Sequence, residues 1–333
     1  MKVLVTYPGH LKTVPMGSYA CRALESLGHD ISCFNLSPNL SDKIFSFLLF
    51  KKKSKHYFLN SRFIRVVKGQ MPSAVVHIFG FDLERRASQF LRKNSIKSVC
   101  WWINDPFQYR RSLDRADLYD AIFTNAKGCV DKYKSEGIVN VFWLPTAADP
   151  QSHYPVDSDS RYDCDICFVG DWSQEREKWC AYLAEKYAVL VVGPWGKKVN
   201  KKTLQFRLID KFFDASLMRA VYSSARIVFN LHTWRNTSNT GTNPRLFEAA
   251  ACGVVQLVDN KDEIPDLFEI GQELLVFDEK NDLYSQIDTV LANPEVESRM
   301  RKSSREAALS RHTYHHRMQA MVAALGQIVV EEK

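Results

Sequence analysis

The sequence predicts an α/β protein made of two doubly wound domains, and three observations carry that prediction. The chain has 333 residues, more than one ordinary domain of roughly 150 residues accommodates. Short apolar runs rich in Val, Ile and Phe alternate with helical stretches along most of its length, the signature of parallel sheets covered by helices. The alternation breaks once, at 146–161, where the chain turns polar around Pro150 and Pro155 and reads as a linker.

In the first half the candidate strands are 2–7, 30–36, 74–79, 98–103, 121–124 and 140–144. Helices fit between them at 18–27, 83–93 and 129–136, the first closed by Gly28, which accepts the left-handed conformation of a helix stop. Beyond the linker, strands are expected at 165–169, 189–192, 226–231, 254–258 and 274–277. Helices follow at 174–186, 215–223, 244–251, 281–291 and 295–310, with a last amphipathic stretch at 314–329. The expected domains are 1–150 and 160–312, both Rossmann-like, with a C-terminal helix at 313–333. In such sheets ligands bind beyond the carboxyl ends of the strands, so the two domains are expected to face each other across a cleft holding the chemistry.

Composition bounds the function. Hydrophobic residues make up 45% and charged residues 25%, as in a globular protein with full cores. No run approaches the ~18 apolar residues of a membrane span, and the start, Met1 to Tyr7, lacks a leader's apolar region, so a cytoplasmic protein is expected. The eight cysteines are irregularly spaced, and Cys33, Cys100, Cys167 and Cys252 fall in apolar runs, which points to reduced, buried thiols. Cys164 and Cys167 form a CxxC, but on a strand thiols three apart are expected to diverge.

The net charge of +7 is unevenly spread. Seven basic and no acidic residues lie between Lys51 and Lys68, and Lys197, Lys198, Lys201, Lys202 and Arg207 form a second cluster. Just before the first run, 43–50 contains Phe45, Phe47, Leu48, Leu49 and Phe50. It reads as a helix buried against the sheet, the alternative being an interfacial helix. Residues 45–68 therefore offer a candidate peripheral membrane or nucleic-acid contact.

The most informative segment runs from Phe229 to Gly253. A strand closes on Asn230-Leu231-His232, a loop rich in Ser, Thr, Asn and Gly follows, and a helix is expected from Pro244 with Asn243 as its cap. A helix N-terminus suits a diphosphate, Arg245 adds a forked cationic donor, and Glu248, one turn on, suits two ribose hydroxyls.

At these residues the sequence resembles the donor-binding motif of GT-B glycosyltransferases, particularly the CgeB-like (spore maturation protein) group of glycosyl transferases family 1. Asn230-Leu231-His232 matches the strand end, and Gly241-Thr242-Asn243-Pro244-Arg245-Leu246-Phe247-Glu248 through Ala251-Cys252-Gly253 matches the signature. The likeness continues through Asp259, Asp266-Leu267-Phe268, His312-Thr313-Tyr314 and Arg317, about half the chain. It implies that Glu248 holds the donor ribose and that Thr242 to Arg245, with His232 at the strand end, surround the diphosphate. Gly170, followed by Arg176 and Lys178, resembles the first donor-domain loop, where glycine admits a phosphate and a cation faces it. Trp195 would lie near the base, stacking on it or packing. Many retaining relatives carry a second glutamate where this chain has Thr240, so the stereochemistry is left open.

The implied reaction moves a sugar from a nucleotide-sugar, a UDP-sugar by default, to an acceptor hydroxyl on a protein, polysaccharide or small molecule. The leaving diphosphate would be stabilised without a metal, and no cofactor is expected. Asp163-Cys164-Asp165 has metal-motif spacing but enters a strand at its wrong end for that role. An inverting reaction needs a base, for which His10, after the first strand, and Asp105, after the fourth, are candidates, the alternative for each being a local structural role. Three other readings stay open: a non-catalytic nucleotide-sugar-binding protein, a glycosyltransferase that modifies DNA or another nucleic acid, and a phosphorylase or epimerase on the same fold.

Overall fold

In a computed structural model of the chain, which describes residues 1–9, 15–48, 55–200, 202, 204–278 and 280–328, the alternation becomes two six-stranded sheets whose strand pairs are all parallel. Two compact units result. One comprises Met1–Pro145 and Tyr314–Lys333, the other Thr146–Thr313.

The first unit runs β1 (Lys2–Tyr7), α1 (Met16–Ser26), β2 (Asp30–Asn35), α2 (Leu40–Leu48), α3 (Lys55–Gln70), β3 (Ala74–Ile78), α4 (Arg85–Lys93), β4 (Lys97–Trp102), α5 (Tyr109–Leu113), β5 (Ala121–Thr124), α6 (Lys127–Ser135) and β6 (Val141–Trp143). Its sheet order is β2-β1-β3-β4-β5-β6. The central strands are buried on both faces, which is why β3 reads Ala-Val-Val-His-Ile without polar alternation.

The second unit runs β7 (Cys164–Val169), α7 (Gln174–Ala184), β8 (Val189–Val192), β9 (Arg207–Ile209), α8 (Ala215–Ser224), β10 (Ala225–Asn230), α9 (Arg245–Ala251), β11 (Val255–Asp259), α10 (Ile264–Leu267), β12 (Leu275–Phe277), α11 (Lys280–Ala292) and α12 (Pro294–Arg311). Its order is β12-β11-β10-β7-β8-β9. The winding direction reverses between β7 and β10, so the loops after these two strands open side by side at the switch point. The final helix, α13 (Tyr314–Leu325), belongs to the first unit. Tyr314 meets Tyr19 of α1 edge-on at 5.2 Å, and Arg317 Nε donates to the Pro145 carbonyl at 2.9 Å.

Four expectations change. The stretch 146–161 packs within the second unit: Ala147, Ala148, Asp149 and His153 are buried, and Arg219 on α8 donates to the Ser152 carbonyl. The apolar helix α2 is not covered by the sheet; Phe45, Phe47 and Leu48 are exposed, Phe47 by 80%. A nine-residue helix whose buried residue is Asp42, held by Arg62 at 2.7 Å, turns its phenylalanines to solvent. Leu49 and Phe50 of the apolar stretch and residues 51–54 of the basic run lie outside the described residues.

The CxxC thiols do not diverge as expected. Cys164 and Cys167 pack in one core layer with Val169, because the Asp165 and Ile166 N–H groups both donate to Ala188 and the alternation slips at the strand's entry. Burial pushes the Cys164 thiol up to about 12 and Cys167 well above the usual thiol range, so both stay protonated and unreactive. Cys100 and Cys252 are buried as expected, whereas Cys33 is exposed. Among the described residues no helix is long and apolar enough to cross a membrane.

Candidate functional site

The loop after β10 and the start of α9 are held by a chain of buried hydrogen bonds. Asn230, the last residue of β10, exchanges amide bonds with Asn243: Asn243 Nδ2 donates to Asn230 Oδ1 at 2.8 Å, and Asn230 Nδ2 donates back at 3.3 Å. His232 is fully buried. Its Nε2 accepts the Asn243 backbone N–H at 3.0 Å, so the ring proton sits on Nδ1, which donates to Asp259 Oδ1 at 2.8 Å. Asp259 ends the neighbouring strand β11 and also takes the His232 backbone N–H at 2.7 Å.

The buried Lys261 ammonium lies 3.4 Å from the other Asp259 oxygen. Burial alone would raise the Asp259 carboxyl, but His232 and Lys261 outweigh it and hold the pKa below the usual value. On the loop's far side, the buried Glu263 accepts the Gly241 N–H at 2.5 Å and lies 3.3 Å from the Thr240 hydroxyl. His232 and Asn243 are thus positioning groups. Thr242 is buried within the same loop.

The helix expected at 244–251 is α9, Arg245–Ala251. Asn243 does cap it, its Oδ1 accepting the Leu246 N–H at 3.1 Å. Yet α9 has seven residues, and the Phe247 and Glu248 N–H groups already bond to Pro244. With Pro244 carrying no N–H, the first turn has fewer free backbone donors than an ordinary helix start, and side-chain charge adds to them.

Arg245 supplies that charge. Its Nη1 donates to Asn230 Oδ1 at 3.1 Å, and its guanidinium lies 5.3 Å from the Phe168 ring centre. The other nitrogen, Nη2, occupies the space a side chain at Gly170 would need: a Cβ there would sit 2.6 Å from it. A side chain at Gly170 would therefore push the end of Arg245 aside.

Arg176 is largely buried, with its ends on the carbonyls of Asp171 (3.0 Å) and Leu231 (2.9 Å), which ties the β7 loop to the β10 loop. Burial, then the charge of Arg245, lowers its pKa to about 10. Arg176 was expected to face a phosphate; with its donors on backbone carbonyls it braces the loops instead and contributes positive potential. Trp195 is fully buried between Phe168 and Phe206, its indole N–H on the Gly170 carbonyl at 2.8 Å. A ring in the core cannot stack on a base, so the packing alternative holds.

Glu248 lies three residues beyond Arg245 and hence on the same helix face. Its side chain is 14% exposed, and His153 Nε2 lies 3.8 Å from Oε1. His153 Nδ1 accepts the Asp149 N–H at 3.1 Å, which leaves the ring proton on Nε2. Neither His153 nor Glu263 was picked out from sequence.

In the first unit, Asp105 is buried, and its carboxylate accepts three hydroxyls: Ser112 at 2.8 Å, Thr124 at 2.8 Å and Tyr133 at 2.9 Å. Burial raises its pKa against the pull of those bonds. As a candidate base it is displaced by this role, which ties the β4 loop to β5 and α6. His10 lies outside the described residues.

Two parallel doubly wound sheets, with a motif loop, an arginine and a glutamate at the second sheet's switch point, define the GT-B fold class. Solved structures share this fold over nearly the whole chain. Sucrose-phosphate synthase from Thermosynechococcus elongatus superposes with a TM-score of 0.68 at 12% identity, covering 98% of each chain. Anabaena HepE in complex with UDP-glucose gives 0.69 at 10% identity, over 98% of this chain and 100% of that one. Residues 175–323 match the family described as glycosyl transferase-like. Spore protein CgeB of Bacillus subtilis is 27% identical over 184 residues, which cover 51% of this chain and 58% of that relative. The chain has the GT-B fold, and its second half is similar to the glycosyl transferase-like family and to CgeB.

Proposed function

We propose that the chain is a glycosyltransferase that takes a sugar from a nucleotide-sugar, by default a UDP-sugar, and passes it to an acceptor hydroxyl. The observation that carries this reading is the pairing of Arg245 and Glu248 on one face of α9, inside the family-matched segment and beside Gly170. The UDP-glucose complex of HepE supports uridine as the nucleotide.

In this reading Arg245 binds the diphosphate, with Arg176 behind it, and Glu248 accepts the ribose hydroxyls. Charge developing on the leaving diphosphate meets a guanidinium fixed in advance by Asn230, which costs little reorganisation. The reading assigns that task to side chains and calls for no metal. His232, Thr242 and Asn243 fix the loop. For an inverting transfer the general base falls to His10, since Asp105 is engaged by hydroxyls.

The test is thermal stability of the purified protein against UDP-, GDP-, dTDP- and CMP-sugars, repeated with Glu248→Ala. An upward shift with one nucleotide class, lost in the variant, is expected. No shift with any donor refutes the reading, and a shift without sugar turnover leaves the binding-only class.

A further inference from the structure

The first unit holds a cavity of about 530 Å³ beyond the carboxyl ends of β3 and β4, where a doubly wound sheet places its ligands. It is a built site. The chain leaves β3 through two residues with positive φ, Phe79 (68°) and Gly80 (51°). A non-glycine residue held there costs of order 1 kcal/mol or more, and such strain gathers at functional loops. Gly80 has no room for a side chain, because a Cβ would meet the Tyr119 hydroxyl, which donates to the Gly80 carbonyl at 2.5 Å.

The fully buried Asn60 then pins this loop to α3. Its Nδ2 donates to the carbonyls of His56 (2.8 Å) and Asp82 (2.9 Å), and its Oδ1 accepts the Glu84 N–H at 2.9 Å. That brace sets His56 and Asp82 side by side on the cavity wall, Nδ1 to Oδ1 3.4 Å apart and both part-exposed.

The remaining walls are cationic and aromatic. Arg111 lies 3.7 Å over the Phe81 ring, and Arg115 donates to the Leu83 carbonyl while its buried Nε has no partner. Lys55 completes the wall. Glu84 pairs with Arg86 at 2.9 Å and Asp82 faces His56, whereas among the described residues Lys55, Arg111 and Arg115 have no carboxylate in ion-pair range. The cavity therefore has an uncompensated positive end, an aromatic floor, and a His–Asp pair suited to hydroxyl groups.

We propose that this cavity is the acceptor site and takes an anionic sugar, one bearing a phosphate or a carboxylate as well as free hydroxyls. Lys55, Arg111 and Arg115 hold the anionic group, with Phe81 fixing the Arg111 guanidinium, and His56 with Asp82 receives hydroxyls. The assignment of the bound sugar as acceptor rests on the transferase reading above; the binding does not.

The test is calorimetric titration of the full chain, without donor, with glucose 6-phosphate, glucuronate, glucose and inorganic phosphate. One of the two charged sugars is expected to bind at least tenfold tighter than either glucose or phosphate, and which one does identifies the anionic group. Arg111→Ala, an exposed change, and Asp82→Asn are each expected to weaken that binding about tenfold while UDP affinity stays at the wild-type value. Equal binding of charged sugar and glucose overturns the proposal, as does phosphate binding as tightly as the charged sugar, or binding indifferent to Arg111→Ala. Loss of UDP binding in the wild-type chain would instead sink the donor reading and leave this result standing.

Discussion

In the transferase reading, Gly170→Ala isolates the contact on which the donor site depends. The added methyl would lie 2.6 Å from Arg245 Nη2 and 3.2 Å from two Phe168 ring carbons. Ordinary separations for such atoms are about 3.5 Å, so the guanidinium must retreat by roughly 1 Å while the ring gives by a few tenths. Gly170 is absent from the positive-φ glycines, and its N–H bond to the Val192 carbonyl persists, so the fold should tolerate the change.

A charge-assisted hydrogen bond contributes about 1.5–3 kcal/mol, and a displaced guanidinium forfeits most of it at the diphosphate. UDP affinity is then expected to fall between about 10- and 100-fold. Calorimetric titration with UDP, alongside thermal unfolding of the unliganded protein, reads both quantities. Arg245→Ala should lose as much, and the double variant no more than either. If Gly170→Ala binds UDP like wild type with Arg245→Ala impaired, Arg245 does not work from beside Gly170.

Two further outcomes follow from buried titratable groups. Asp259→Asn leaves the Lys261 ammonium buried without its counter-charge, and a broken buried pair costs about 3–5 kcal/mol; urea unfolding at pH 7 checks it. His77, fully buried with Nδ1 2.7 Å from the Thr6 hydroxyl, has its pKa pushed down to about 3 by burial. A lowered folded pKa gives stability that is complete above the unfolded value near 6.5 and drains as the pH falls toward 3, because only the unfolded chain takes up the proton. Between pH 7 and pH 4.5 the wild type should lose about 2–3 kcal/mol more than His77→Gln in matched urea titrations; parallel losses would assign the acid sensitivity elsewhere.

The fold was legible because parallel strands buried on both faces announce themselves locally. β1, β5 and β8 fall where the apolar runs place them, whereas β9, an edge strand of three residues beginning at the exposed Arg207, has too little apolar signal to be seen. Helix α2 misleads for the opposite reason: its run of Phe and Leu carries the composition of a core helix, and composition does not say what covers it. The motif from Asn230 to Glu248 was legible because its residues are close in sequence and their types match phosphate and ribose. Which first-turn N–H groups of α9 are free was not, since that depends on backbone bonds that no residue type reveals.

What holds the loop before α9 comes from far along the chain. Asp259 reaches His232 from 27 residues away, and Glu263 reaches Gly241 from 22. Glu263 bears on the residue at which this chain departs from retaining relatives. Thr240 removes an acid from the loop, yet a carboxylate still arrives there, from the start of α10. That carboxylate is buried, with one oxygen engaged on the Gly241 N–H and near the Thr240 hydroxyl. An acid turned inward onto the backbone fixes the loop's path and cannot present itself to a sugar. In the transferase reading, Thr240 and Glu263 therefore shape the loop while the charge work at the donor stays with Arg245 and Glu248.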